Sequence, residues 1–565
     1  MKITKSIIFL GVLLAPFSLL AQETCRAEQD TTLRLLSAEM KRGFKILKKQ
    51  QPSVYYLSYI LKDYTQENIS VANGGISQDR VFHRTNLEVF PRVGTAQMDN
   101  TRTLKNGYND MEVKTYFVPS NVKDEKVFTT AVWYATEQAV KNAQEMYSRV
   151  QADVQISSQR RDDSADFVFP KKETFCQTQS FATFDKERIR QLLLKASELT
   201  KGKKFILSSE FEFSNNYGYY YFVDSVGTLI KEPYQLVRLS YDVNGQTKEG
   251  AEIQRSRSYD VLLEQELPSD EQILADVVSS IEELQEQLNS PDAEPVAVPG
   301  ILKSRAMGVF VHEVLGHRME GFRQKEDSFG RTFTDKIGQA IIAPFITIVD
   351  DPTLSYFNGI PLRGFYHYDN EGVKGRPAVL VENGVLKGFM MNNSPIKGFP
   401  ASNGHGRSEF GYRSVARMSN TRLISSKTMP YEELEKMLLE EVKKQGKPYG
   451  VIIEDISGGF AITDTFSPQT FNLAPTRMYR LYPDGRKEVV HGLNLVGTPL
   501  SSFREIIATA DDYGIFNGSC GAESGWVPVS SIAPSTLLRT IELEKSHKSP
   551  QKMPLLPPPS AEVKL

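Results

Sequence analysis

Apolar and polar positions alternate in two different textures along this chain. Across residues 26–48, Leu33, Leu35, Leu36, Met40, Phe44, Ile46 and Leu47 recur among charges at a helical period, which predicts an amphipathic helix. Residues 124–150 and 184–199 read the same way. Strand character marks residues 53–60, then the consecutive stretches 204–213, 219–223, 228–230 and 235–241. Asn215-Asn216 and Asp242-Val243-Asn244-Gly245 are turn signals that predict breaks in that series. The aromatic run at 217–222 is read as strand packing, because aromatic residues are enriched in strands. From 257 to 289, apolar positions spaced among charges predict one or two further helices.

The texture changes after Asn289-Ser290-Pro291-Asp292-Ala293-Glu294-Pro295, a polar stretch with two prolines. Beyond it glycines are dense, strands are short, and Asn383-Gly384, Asn403-Gly404 and Asp484-Gly485 repeat as turn signals. The expected fold class is α+β. An N-terminal α/β domain at 22–290 should pair an antiparallel sheet with flanking helices. A linker at 291–299 should lead to a β-rich C-terminal domain at 300–545, with helices around His312 and at 430–445. The proline- and lysine-rich tail at 546–565 is expected to be disordered. The sequence shows no internal repeat.

A length of 565 residues fits two or more domains. Lys plus Arg number 67 against 69 Asp plus Glu, so no electrostatic case exists for nucleic acid or an anionic membrane surface. A short basic start, an apolar run at 7–20 and Leu20-Ala21-Gln22 predict a signal peptide at 1–21. The run is shorter than the roughly 20 residues of a membrane span. The chain is therefore expected to be exported, to a bacterial periplasm. Three cysteines are present: Cys25, Cys176 and Cys520. An oxidising compartment favours one pair and leaves one over; Cys25 and Cys176 could bridge. Cys520 lies in a glycine-flanked stretch read as a turn, where a thiol is open to oxidation unless a metal occupies it.

The sharpest chemical signal is Val311-His312-Glu313-Val314-Leu315-Gly316-His317, which holds two of the seven histidines. Two close imidazoles can hold a zinc ion, and an adjacent carboxylate can take a proton from activated water. The spacing is one residue longer than H-E-x-x-H. Residues five apart on a helix are rotated by about 140°, so an undistorted helix cannot aim both rings at one ion. The helix must widen or break there, and Gly316 suits such a distortion. Candidates for a third ligand are Glu320, Asp327 and the distant Cys520, with Glu320 equally suited to supporting a ligating histidine.

The segment from His312 to Gly321 resembles the signature of the TldD/PmbA metallopeptidases. Ordered blocks extend the resemblance over most of 180–540: 221–228, 368–372, 380–386, 403–407, 417–421, 455–459, 518–521 and 527–530. The resemblance implies zinc on His312, His317 and Cys520, with Glu313 as general base. It implies short or unfolded peptides as substrates, and a homodimer or a heterodimer with a related subunit. The family is best known from the cytoplasm, from which the expected signal peptide departs. His405 stands where the family more often has asparagine and is a candidate site-lining residue; His83, His367 and His491 are read as structural. Two other readings stand beside the zinc peptidase. One is a non-proteolytic scaffold or partner subunit whose zinc is closed by a fourth side chain. The other is a thiol enzyme using Cys520, which leaves Glu313 and the histidine pair without a purpose.

Overall fold

The computed structural model describes residues 22–105, 111–119, 124–156, 162–325, 328–330, 332–465, 469–548 and 552–553. The expected signal peptide at 1–21, the candidate ligand Asp327 and most of the tail lie outside the described residues.

The N-terminal part is built on a nine-stranded sheet. Its centre is four long antiparallel strands: Gly75–Thr95, Val54–Ala72, Ser208–Asp224 and Leu229–Gln246. The first hairpin closes through Asn73-Gly74, both at positive φ (50° and 86°), the combination a two-residue hairpin turn requires. The breaks expected at 215–216 and 242–245 do not occur; both lie inside continuous strands. Pairing on both sides overrides the local turn preference. Asn215 is fully buried, and its amide donates to Glu67 Oε2 at 3.1 Å and accepts from Gln235 Nε2 at 3.0 Å.

Alternation along these strands gives the sheet two unlike faces. Tyr59, Leu61, Ile69 and Phe213 face the amphipathic helices Thr31–Leu47, Glu125–Ile156, Lys186–Glu198 and Asp270–Leu288. Ile60 and Phe222 face the other way, where they pack with Ile230 and Tyr368 of the C-terminal part. The Cys25–Cys176 disulfide is present, with a Cα–Cα distance of 5.0 Å, and ties the start of the described chain to the strand Thr174–Gln179.

The C-terminal part holds an eight-stranded and a six-stranded sheet. The expected linker at 291–299 is shorter than its sequence suggests. Val296–Leu302 is a strand, pairing parallel to Gly450–Ala461 and antiparallel to Thr536–Lys545. Pro299 fits there because the register shifts between Val298 and Gly300, and a bulge spares the missing N–H. The helix Ser304–Val314 packs against strands of both sheets, with eight of its eleven residues buried, so apolar residues run unbroken from Ala306 to Val311, as a largely enclosed helix requires. Gly308 permits that closeness: a Cβ there would lie 3.0 Å from the carbonyl oxygen of Ser531.

The described residues of the tail are anchored rather than free. Lys548 pairs with Asp292, and the Met553 amide donates to Gln246 Oε1 at 2.7 Å.

Candidate metal centre

His312 sits on the last turn of the buried helix, which ends at Val314. A short 3₁₀ segment, Gly316–Met319, follows and carries His317. The five-residue spacing is thus met by a break in the helix, one of the two distortions the geometry allowed. The carbonyls freed by the break do not go unpaired: the Arg318 guanidinium donates to Glu313 O at 3.2 Å and Val314 O at 3.3 Å. Gly316 has a role other than the one its type suggested. Its φ is not positive. A side chain there would collide with Met418, whose Sδ lies 2.0 Å from an added Cβ.

Cys520 arrives from the opposite end of the chain. It lies within the regular strand Gly514–Ala522, paired with Val527, and is buried. In place of the exposed turn expected around it there is a strand, and its thiol is buried. Gly518 and Gly521 leave room for the Phe516 and Trp526 rings rather than for a turn.

These elements bring His312, His317 and Cys520 together, with one ligand atom from each within 4.8 Å of the others. The imidazoles meet edge to face at 5.2 Å, and Cys520 Sγ lies 3.4 Å from His317 Nε2. A tetrahedral ion about 2.3 Å from sulfur and about 2.0 Å from nitrogen would separate those donors by about 3.5 Å. The spacing thus fits, and the donor set of two imidazoles and a thiol is a good one. His312 Nδ1 is buried without a hydrogen-bond partner among the described residues, an unsatisfied group of the kind that calls for explanation. Glu313 flanks the cluster, with Oε2 3.7 Å from His317 Nε2. Its side chain is 12% exposed, the only one of the four with an intermediate exposure.

Glu320 does not join the ligand group. It meets the far ring nitrogen, His317 Nδ1, at 3.4 Å, and so orients the imidazole as a carboxylate behind a ligating histidine does. Arg323 binds Glu320 Oε2 at 2.8 Å and grips Glu523 with both terminal nitrogens, at 2.7 and 2.6 Å. Arg417, with no exposed surface, lies on the other side. It donates to Cys520 O at 2.6 Å and Cys520 Sγ at 3.2 Å, and its Nε is 3.3 Å from Glu320 Oε1. The sequence reading gave no role to Arg417, Arg323 or Glu523. The block around Arg417 is visible in the sequence, but nothing local marks a loop arginine as buried.

The electrostatics follow from burial and mutual charge. Burial pushes the Cys520 thiol up, but His317, His312 and Arg417 outweigh it and hold it well below the ordinary value. Burial opposes charge on His317 and His312, yet the facing thiolate raises both, aided at His317 by Glu320. Burial raises Glu313, against the pull of the two histidines. Burial also disfavours a charged Glu320, but Arg323, His317 and Arg417 bring it down to about 2.

His405 does not line this centre. It is fully buried, with Nε2 3.1 Å from Asp350 Oδ1 and Nδ1 2.8 Å from Asn403 Oδ1. His83, His367 and His491 bond to Asp63, Glu232 and Ser290, away from the cluster. Neither main cavity is lined by the four central residues. Cys520 lies between them in sequence: Glu523 lines one and Ser519 the other.

A buried His–His–Cys cluster beside a glutamate, drawn from a helix, the 3₁₀ segment after it and a distant strand, is a donor set suited to a zinc-type metal centre. Residues 296–545 match the PmbA/TldA metallopeptidase C-terminal domain. Through this half the chain belongs to the TldD/PmbA family. It is 30% identical over 231 residues to a metalloprotease of Methanocaldococcus jannaschii, covering 40% of this chain and 47% of that one. It is 28% identical over 261 residues to a zinc metalloprotease TldD homolog of Saccharolobus solfataricus, covering 46% and 54%. These matches span about half the length of each relative. The fold is also that of TldE from Thermococcus kodakarensis, at a TM-score of 0.58 and 15% identity, over 90% of this chain and all of that one.

Arg417→Met should leave the Glu320 and Cys520 charges undercompensated in a buried site. The expected loss of stability is about 3–5 kcal/mol, measured by urea denaturation. Arg417→Lys should recover only part of it, because an ammonium cannot reproduce the guanidinium fork.

Proposed function

We propose that this chain is a zinc-dependent peptidase, with zinc held by His312, His317 and Cys520 and with Glu313 as general base. The observation that carries the proposal is the approach of Cys520 to His317, across 203 residues of sequence, at the distance a shared ion needs. The zinc metalloprotease named among its relatives supports the choice of metal.

Three protein ligands leave a coordination position for water. Zinc bound there would supply Lewis acidity and a water that ionises near neutral pH. Glu313, beside the cluster and not part of it, takes the proton and returns it to the leaving amine. Glu320 fixes the His317 ring through Nδ1, and Arg323 and Arg417 hold Glu320 ionised. Its position behind the ring supports an open fourth site, against the scaffold reading in which it closes one. Short or unfolded peptides are the proposed substrates. The strand Gly514–Ala522 is the last in its sheet, so a peptide can add along it beside Cys520. A second copy or a related subunit is the proposed partner, the solved TldE structure being one of its fold relatives. Export is proposed as well. The Cys25–Cys176 disulfide suits an oxidising compartment, and no helix among the described residues is long and apolar enough to cross a membrane.

Glu313→Gln should lower cleavage of an unstructured peptide by about 10²–10⁴-fold while the protein still binds one zinc per chain. Chelation should abolish cleavage, and Cys520→Ala should lose the metal. Full activity of Glu313→Gln would remove the proposed base.

Metal uptake should release protons in a number set by the charges of the empty site. His317 and His312, both raised by their surroundings, give up the protons they hold when an ion loads. Cys520, held well below its ordinary value, contributes least. Affinity should therefore fall as pH falls, with the released protons coming mainly from the imidazoles. Calorimetry in buffers of different ionisation enthalpy measures that number. Mass spectrometry of the protein from its native host should find a chain beginning at Gln22 with Cys25 and Cys176 oxidised; an N-terminus retaining 1–21 would exclude cleaved export.

A further inference from the structure

The face of the N-terminal sheet turned towards the C-terminal part walls a cavity of about 1230 Å³. Cross-strand register places Asn86, Lys62, Tyr220 and Glu232 in one row on that wall. The next row of the same face holds Tyr64 and Tyr234 on either side of Gly218. The Lys62 ammonium lies 5.1 Å from the Tyr64 ring centroid and 4.8 Å from that of Tyr234, and stacking of this kind stabilises a cation. No hydrogen bond or ion pair reaches Lys62 among the described residues. Asn86 Oδ1, opposite it in the register, also lacks a partner there. Lysines are almost never fully buried without a partner. This one keeps its open surface towards the cavity, and the burial it does suffer brings its ammonium down to about 8, against the pull of Glu88 and Glu409.

The far wall of the cavity includes Ser519 and Trp526. Successive strand residues point to opposite faces, so Ser519 looks into the cavity while Cys520 looks into the metal centre. The edge strand Gly514–Ala522 thus presents one face to the cavity and the other to the metal centre.

We propose that Lys62, seated between Tyr64 and Tyr234, is the anchor for a peptide carboxylate bound in this cavity. Lys62 supplies the charge and the two rings fix the ammonium. The identity of the ligand as a peptide rests on the peptidase reading; the seat of the ammonium between two rings on the cavity wall does not.

The test uses full-length protein carrying Glu313→Gln, so that binding is read without turnover. The chain has two tryptophans, and Trp133→Phe leaves Trp526 as the sole reporter within the cavity. Three probes are titrated by fluorescence: N-acetyl-trialanine, its C-terminal amide, and the amide of N-acetyl-Ala-Glu-Ala. The free acid should bind about tenfold or more tighter than the neutral amide, as a charge-assisted contact implies. Lys62→Met should erase that preference and Lys62→Arg should keep most of it. Acid-like binding of the glutamyl amide would show that any peptide carboxylate suffices; amide-like binding would restrict the anchor to the C-terminus. Equal binding of acid and neutral amide, no binding of either, or an unchanged preference in Lys62→Met overturns the proposal.

A second readout needs no substitution at Lys62. Saturating free acid should slow acetylation of Lys62 by acetic anhydride, followed by mass spectrometry, and the neutral amide should not. Absence of protection by the acid is equally fatal. If the wild type cleaves no peptide while the acid still binds through Lys62, the peptidase reading fails and the anchor stands.

Discussion

A buried arginine ties the centre together. Arg417 donates to the backbone and sulfur of Cys520 and faces Glu320, so one guanidinium links the strand that carries the thiol to the carboxylate behind His317. Burying these charges is costly unless each has a partner. Removing any one leaves another exposed to a low-dielectric interior. The same network that positions the two histidines and the thiol therefore also constrains the packing of the 3₁₀ segment, the Cys520 strand and the loop carrying Arg417.

The charge pattern links architecture to chemistry. The histidines and thiol polarise each other when no ion is present, and Glu320 is held ionised by two arginines. The helix that carries His312 has to end abruptly for His317 to turn back. Arg318 makes that ending tolerable by satisfying its carbonyls, and Met418 fills the space left by Gly316. The distortion is thus supported from the side by packing rather than by the freedom of a glycine backbone.

The two halves meet across a sheet face that local patterning would have assigned to solvent. Lys62, Tyr64, Tyr220 and Glu232 are polar or amphipathic, yet they wall a cavity shared with the strand next to the metal centre. Such a surface is suited to recognising a polar ligand. The helix-covered face of the same sheet carries the apolar core.

Much of this protein was legible in the sequence because it is encoded by short-range periodicity. The amphipathic helices, the β-rich second half, the His312–Glu313–His317 spacing and the broken helix it demands all follow from residues a few positions apart. Cys25 with Cys176, and Cys520 as a third ligand, could be named as candidates by count and by resemblance. What the tertiary structure decided depends on partners far away in sequence. Asn215 stays within a strand because Glu67 and Gln235 satisfy its amide, and the stretch from 296 runs on as one strand to 302 because 541–543 pair with its start and 451–453 and 536–538 flank its end. Glu320 is placed behind His317 rather than among the three clustered donors by the two arginines that face it. Neither Arg417 nor Lys62 shows its environment in its neighbours along the chain. Burial and charge compensation are properties of packed surfaces, and a sequence window a few residues wide does not contain them.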